Sequence, residues 1–315
     1  MSGADDAPRL GLDFGGTKIE GVLMTPDGRE LARMRAPTPR HDYAACLRAM
    51  ADLAAALEAR AGVRAPRAGV GAPGSLSPAT GLARNGNAVW MLGRPLARDL
   101  AQALGRPVRV ANDADCFALS EAADGAGAGA RSVFGAILGT GVGAGIVIAG
   151  RALRGRNGVA GEWGHIPLPA PRADELDPPR CWCGRRGCIE TWLSGPGLAA
   201  DFARAVGAAE GEGPDAAEIA ALAEAGDEDA RAALDRWFDR AGRALALIVN
   251  VLDPEAVVLG GGLSNLPGIE ARLSEATRPH VFSDVFETAI RRNMHGDGSG
   301  VRGAARLWDE EARDT

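Results

Sequence analysis

Apolar and polar positions along the chain form short alternating runs closed by glycine turns, with longer helical-period runs between them. Residues 9–14 (RLGLDF) alternate weakly and are apolar enough for a buried strand. Gly15-Gly16 turns the chain. Residues 18–24 and 29–35 read as further strands, joined by a hairpin turn at Pro26-Asp27-Gly28. From Asp42 to Ala61, Leu47, Met50, Leu53 and Leu57 recur at helical spacing. Residues 67–72 read as a strand ending at Pro73-Gly74. A short strand at Val108–Val110 runs into Asn112-Asp113, where Asp113 is placed to cap a helix over 114–123. Strands over 132–138 and 142–149 flank a second glycine turn and repeat the plan of 9–24, which predicts two lobes of related design. Residues 170–180 lack periodicity and read as a surface loop. Helical patterns follow over 196–206, 215–225 and 228–251, then a buried strand at Val257–Leu259 and a last helix within 299–310.

The chain has 315 residues, more than one simple core holds, which supports two lobes. A hydrophobic fraction of 46% with 24% charged residues places it among soluble globular proteins. The net charge of −6 and the lack of a basic, aromatic-interleaved stripe exclude nucleic acid as main partner. ATP remains compatible with mild acidity, because local N–H groups and magnesium hold phosphates. The polar start MSGADDAPRL has no signal-peptide pattern and no run reaches membrane-span length, so the cytoplasm and no membrane partner are expected. Five cysteines, an odd number, argue against a disulfide framework.

Candidate chemistry gathers at the glycine turns. Asp13-Phe14-Gly15-Gly16-Thr17-Lys18 lies between two strands. Glycines admit a phosphate to the backbone, Thr17 adds a hydroxyl, and Asp13 at a strand end can hold magnesium through water. Gly139-Thr140-Gly141-Val142-Gly143 is a second such turn. Each alone is equally a tight hairpin; the pair favours phosphate contact. Neither is a P-loop or a dinucleotide fingerprint, since a strand comes next. Gly260-Gly261-Gly262 offers flat backbone for an adenine, or a plain strand-to-helix turn. Phosphoryl transfer to an alcohol needs a proton acceptor. Asp113 is the candidate, beside Asn112; a simple helix cap competes, and Asp115 is a second acid nearby.

His165, Cys181, Cys183 and Cys188 make the sharpest set. Cys181-Trp182-Cys183-Gly184-Arg185-Arg186-Gly187-Cys188 crowds three thiols, and three Cys with one His is a closed structural-zinc set. Reduced thiols or a disulfide are the alternatives, and His165 is the histidine nearest in sequence. Glu162 and Glu190 flank the set. Paired carboxylates suit vicinal sugar hydroxyls, against a solvated surface role.

With these pieces the chain resembles the ROK family of bacterial sugar kinases and repressors nearly end to end. The resemblance rests on Asp13–Lys18, Gly139–Gly143, Asn112–Glu121, Gly161-Glu162-Trp163-Gly164-His165 and Cys181–Glu190. It implies the α/β, two-lobed actin-like (ribonuclease H-like, hexokinase-type) ATPase fold. One lobe would take residues 1–111 plus about 300–315; the other would take 112–299 with a zinc loop at 165–190. It implies an ATP:sugar phosphotransferase using ATP, Mg2+ and structural Zn2+, acting on a small-molecule sugar as a homodimer. Asp113 would be the base. Gly74, Asn87, Asn112, Asp113, Glu162, His165 and Glu190 would meet the sugar. Asp13, Gly15, Gly16, Thr17, Lys18, Gly139, Thr140, Gly141, Gly143, Gly260, Gly261 and Gly262 would meet the nucleotide.

Within the family, Pro73–Pro78, Asn85-Gly86-Asn87 with Trp90, Gly161–Pro169 and His295–Gly303 look most like fructokinases of the manno(fructo)kinase type. N-acetylglucosamine kinases are the alternative, and the apolar run Ala88-Val89-Trp90-Met91-Leu92 fits an acetamido methyl. A repressor needs a helix-turn-helix before the first phosphate motif, and twelve residues precede Asp13. A zinc-bound sugar sensor without catalysis is the remaining non-enzyme reading.

Overall fold

The computed structural model describes residues 6–86, 88–209 and 211–309. The strands begin β1 (Arg9–Phe14), β2 (Lys18–Met24), β3 (Glu30–Pro37), β4 (Ala68–Ala72), β5 (Ser75–Leu76), β6 (Ala83–Arg84) and β7 (Val108–Asn112). They continue as β8 (Ser132–Leu138), β9 (Val142–Ile148), β10 (Arg151–Ala152), β11 (Ala256–Gly260) and β12 (Ala289–Arg292). The helices are α1 (Tyr43–Ala61), α2 (Leu96–Leu104), α3 (Asp113–Asp124), α4 (Glu190–Leu193), α5 (Gly195–Val206), α6 (Ala216–Ala225), α7 (Glu228–Leu252), α8 (Ile269–Thr277) and α9 (Ser299–Ala305). None of the described helices is long and apolar enough to cross a membrane.

The chain divides into two units, Met1–Gly129 with Gly145–Ala160 and Met294–Thr315, and Ala130–Ala144 with Gly161–Asn293. The expected boundary at residue 111 and the expected 112–299 lobe therefore differ from the structure. Residues 112–129, 145–160 and 294–299 pack in the first unit. The reason is helix packing: Gly303 of α9 lets its backbone meet the Cys116 carbonyl of α3.

One five-stranded sheet has the order β3-β2-β1-β4-β7 and the other β10-β9-β8-β11-β12. Renumbered within each sheet, both read 3-2-1-4-5, the duplicated plan of the actin-like fold. In the first unit, Leu10, Leu12 and Phe14 of β1 turn one face toward Met50, Leu53 and Leu57 of α1 and Leu96 and Leu100 of α2. Val22 and Met24 face the other way, onto Val301 and Ala305 of α9. This is the period-two alternation of a sheet covered on both faces. A Cβ on Gly11 or Gly69 would run into the α9 backbone, so α9 lies directly on the sheet only because those positions are glycine.

α1 opens where its pattern predicts: the Asp42 side chain accepts from Ala45 N at 2.9 Å, and Gly62 ends the helix in left-handed conformation. α3 differs. Its cap is Asn112, whose Oδ1 accepts from Ala114 N at 2.7 Å, and Asp113 is the first helical residue. In the second unit, β11 is buried throughout, and α7 buries Trp237, Leu245 and Val249 together with Arg240 and Arg243.

Candidate active site

In the first unit, β1, β4 and β7 run parallel, so Asp13, Gly74 and Asn112–Asp113 collect at or just beyond their carboxyl ends. That edge is where parallel α/β sheets place ligands. Asp13 pairs in register with Gly71 of β4 and Glu20 of β2. Its carboxylate occupies space that a side chain on Gly71 or Gly300 would take, 3.3 and 3.4 Å from those Cβ positions. Burial, with the Asp113 and Glu20 charges adding, pushes Asp13 up to about 7 against the pull of Lys18. Glu20 is itself buried and held by Arg33 at 3.2 Å and Arg35 at 3.0 Å.

The first glycine turn divides its labour. Gly15 N donates to Lys18 O at 3.0 Å, and a Cβ there would press on that carbonyl. A Cβ on Gly16 would meet nothing within 4 Å, so Gly16 and the exposed Thr17 border open space. Thr38 fastens the turn by donating through Oγ1 to Gly15 O at 2.7 Å.

Asp113 is exposed, while Ala114 to Glu121 are all buried. Its Oδ1 accepts from Ala114 N at 2.9 Å. Asp115, the competing acid, is 8% exposed and turned into the packing of α3. Asn112 donates through Nδ2 to Gly74 O at 2.8 Å, which ties the end of β7 to the turn after β4. That bond uses one N–H of the Asn112 amide and leaves the second available. Asn87 lies outside the described residues.

In the second unit, Gly139, Thr140 and Gly262 line a cavity of about 720 Å³ together with residues of α5 and α6. Gly139 N donates to Gly141 O at 3.0 Å, closing the second turn. Among the three successive glycines only Gly262 lines the cavity. Gly260 ends β11, and Gly261, at φ +81°, packs against the Leu138 backbone of β8. Gly143 sits within β9 and accepts from Trp163 Nε1 at 3.0 Å.

Glu190 reaches this turn from the first residue of α4. Its Oε2 accepts from Val142 N at 3.0 Å, and a Cβ on Gly141 would lie 2.8 Å from the same oxygen. Oε1 accepts from Trp182 Nε1 at 2.6 Å. Glu162 caps the short turn Trp163–His165, accepting His165 N through its carbonyl at 3.3 Å.

His165, Cys181, Cys183 and Cys188 come together, with their ligand atoms all within 4.8 Å of one another. Cys183 Sγ and Cys188 Sγ are 3.6 Å apart, and Cys181 Sγ is 3.6 Å from His165 Nδ1. A tetrahedral zinc sets S···S edges of about 3.8 Å and S···N edges of about 3.6 Å. A disulfide would need about 2.05 Å between sulfurs, and all five cysteines are free. Burial and the neighbouring Cys183 and Cys181 thiols push Cys188 up to about 12. Held as thiolates, the three would need a cation to offset their charge. The donors fit zinc.

The ROK family model matches residues 9–311. The chain belongs to the ROK family. N-acetyl-D-glucosamine kinase of Escherichia coli O9:H4 (strain HS) is 42% identical over 303 residues, covering 94% of this chain and 98% of its own. The solved structure of a ROK hexokinase from Thermus thermophilus superposes with TM-score 0.86 at 35% identity, over 98% of this chain and 100% of that one. A ROK glucokinase from Streptomyces griseus, solved with glucose and AMPPNP, gives 0.76 at 29% identity, over 96% and 99%.

Sequence reasoning missed one feature of this ROK chain's site. Residues 170–180 are not a plain surface loop, because Glu175 is 3% exposed. It accepts from Arg240 Nε at 2.8 Å and Arg243 Nη2 at 2.6 Å, while Arg243 Nη1 also donates to Pro169 O and Ala170 O at 2.8 Å. The loop from His165 to Glu190 is thus docked onto α7 at its middle, ahead of the cysteines. An acid amid Pro and Arg carried no sign of this, since its partners lie far along the chain.

Asp13 supports a prediction from the fold's electrostatics. Its folded-state proton affinity exceeds the unfolded value near 3.8, so stability falls as pH rises from about 4 to about 7 and stays lowered above. Asp13→Asn removes that cost. The nucleotide-free variant should be more stable than wild type at pH 8, by up to about 4 kcal/mol, and no more stable at pH 4. Thermal melts across this range check it; a pH-independent difference would refute it.

Proposed function

We propose that this ROK-family chain transfers the terminal phosphoryl group of ATP to a hydroxyl of N-acetylglucosamine, with Asp113 accepting the hydroxyl proton. The observation that carries the reading is the exposed Asp113 carboxylate beside the half-buried Asp13 at the carboxyl ends of parallel strands. A sugar O–P bond forms, the bond from the γ-phosphorus to the departing ADP oxygen breaks, and the hydroxyl proton moves to Asp113.

Asp13 has the position and charge to hold magnesium through water, and a cation there relieves its repulsion with Asp113. Mg2+, when bound, supplies charge neutralisation on the phosphates. Gly16, Thr17 and Lys18 on one turn and Gly139 and Thr140 on the other are assigned to phosphate oxygens, and the Gly262 cavity to the nucleoside. Gly74, Asn112, Glu162, His165 and Glu190 are assigned to the sugar. Asn87 joins them from the resemblance alone. The four-donor cluster is assigned a structural zinc, which has no open position for chemistry. A homodimer stays part of this reading.

The substrate assignment leans on the relatives, which favour N-acetylglucosamine over fructose. Val89, 63% exposed, and Leu92, 42% exposed, offer apolar surface for an acetamido methyl. A coupled ADP-release assay over N-acetylglucosamine, glucose, mannose and fructose tests it. N-acetylglucosamine should give the highest kcat/KM. A higher value for fructose would return the chain to the fructokinase reading, and no turnover with any sugar would leave a sensor.

A further inference from the structure

The nucleotide cavity has a measurable length. At one end Gly195 N donates to Gly139 O at 2.8 Å, and Ala216 Cβ lies 3.7 Å from the position a Cβ on Gly195 would take. The first turn of α6 therefore abuts the second glycine hairpin. Ala217, Ala220, Ala221 and Glu224 continue along the cavity on one face of α6, at the i, i+3, i+4, i+7 spacing of a helix. Glu224 is eight residues beyond Ala216, a rise of about 12 Å at 1.5 Å per residue. That is about the span of a nucleoside triphosphate from its phosphates to the far edge of its base.

The polar groups along this wall are not equal. The Asp215 carboxylate is spent on the helix cap, accepting from Ala217 N and Glu218 N at 2.9 Å each. The Asn265 amide donates to Gly262 O at 3.2 Å. The alanine side chains have no polar atom. Glu224 is exposed, lines the cavity, and has no hydrogen-bonding or ionic partner among the described residues.

We propose that Glu224 reads the nucleobase, accepting a hydrogen bond from the 6-amino group of adenine. Guanine and hypoxanthine put a carbonyl oxygen at that position, and a carboxylate repels it. At about 12 Å from the hairpin the charge is largely screened from the phosphates. Selectivity for ATP over GTP or ITP would then reside in one side chain. The inference rests on the kinase reading, in that it seats the phosphates at Gly139–Thr140.

The test compares ATP with purine riboside triphosphate, which lacks the 6-amino group, and with ITP, on wild type, Glu224→Ala and Glu224→Lys. The readout is kcat/KM at saturating N-acetylglucosamine, with calorimetric binding of the matching diphosphates alongside. Wild type should prefer ATP to the purine riboside nucleotide by about tenfold, the size of a single base contact. Glu224→Ala should erase that preference without moving the sugar KM, and Glu224→Lys should shift it toward ITP. An unchanged ATP preference in Glu224→Ala overturns the assignment while leaving the kinase reading intact. Absent turnover with base-selective diphosphate binding would instead sink the kinase reading and keep the base reader. Because alanine is the best helix former, the Ala variant keeps α6 folded.

Discussion

Asp113→Asn is expected to lower kcat by about 10²–10⁴-fold, the range a positioned general base supplies. The sugar KM should change little. The substitution removes the proton-accepting oxygen but keeps a side-chain carbonyl able to take the Ala114 N hydrogen bond now made by Oδ1. The α3 cap is on Asn112, so the helix start does not depend on the charge at position 113. Circular dichroism and melting temperature should match wild type within a few degrees. This separation of turnover from stability is what a mere cap would not show, since removing a cap costs about 1 kcal/mol and leaves chemistry alone. Turnover within tenfold of wild type would take the base role from Asp113. Asp115→Asn is no substitute control, because that side chain is buried in α3.

Loss of the proposed zinc should have the other large effect. Elemental analysis is expected to find about one zinc per chain, and Cys188→Ser should abolish it. The sugar KM should rise by more than tenfold while the ATP KM holds. The argument is local. Leu168 N donates to Gly187 O at 2.9 Å and Ile189 N to Ile166 O at 2.9 Å, so the two ends of the loop pair without metal. Glu175 docks its middle on α7. A metal on this cluster would tie the His165 ring to the knuckle carrying Trp182, which in turn donates to Glu190. The melting temperature should drop, with a first transition confined to residues 165–190. Metal affinity should weaken in acid, because protons compete for the thiolates. A metal-free protein of full stability and unaltered sugar affinity would dismiss the site.

The parts of this architecture legible in the sequence are those whose cause is local. The β1 and β8 turns showed through glycine between apolar runs, and α1 through its period. The gathering of His165, Cys181, Cys183 and Cys188 showed because three thiols in eight residues are a compact local signal. The missed elements have distant causes or weak signals. α2 is nine residues long and presents only Leu96, Leu100 and Leu104 as buried positions. β12, with sequence AIRR, is an edge strand without a buried face, held by pairing to β11. At the start of α3 the cap is Asn112 and not the Asp113 read from the sequence, and Asn112 is also tied to Gly74 O, a contact far along the chain. The division of Gly260-Gly261-Gly262 into one strand end, one packing contact and one cavity wall depends on where Leu138 falls in space.

The most direct examination of the whole account is a crystal structure with N-acetylglucosamine, a non-hydrolysable ATP analogue and magnesium. It should place a sugar hydroxyl about 2.6–3.2 Å from the Asp113 carboxylate, with analogue phosphates at Gly139–Thr140 and the metal ion facing Asp13. A sugar bound away from Asp113, or phosphates seated elsewhere than on the glycine turns, would contradict it.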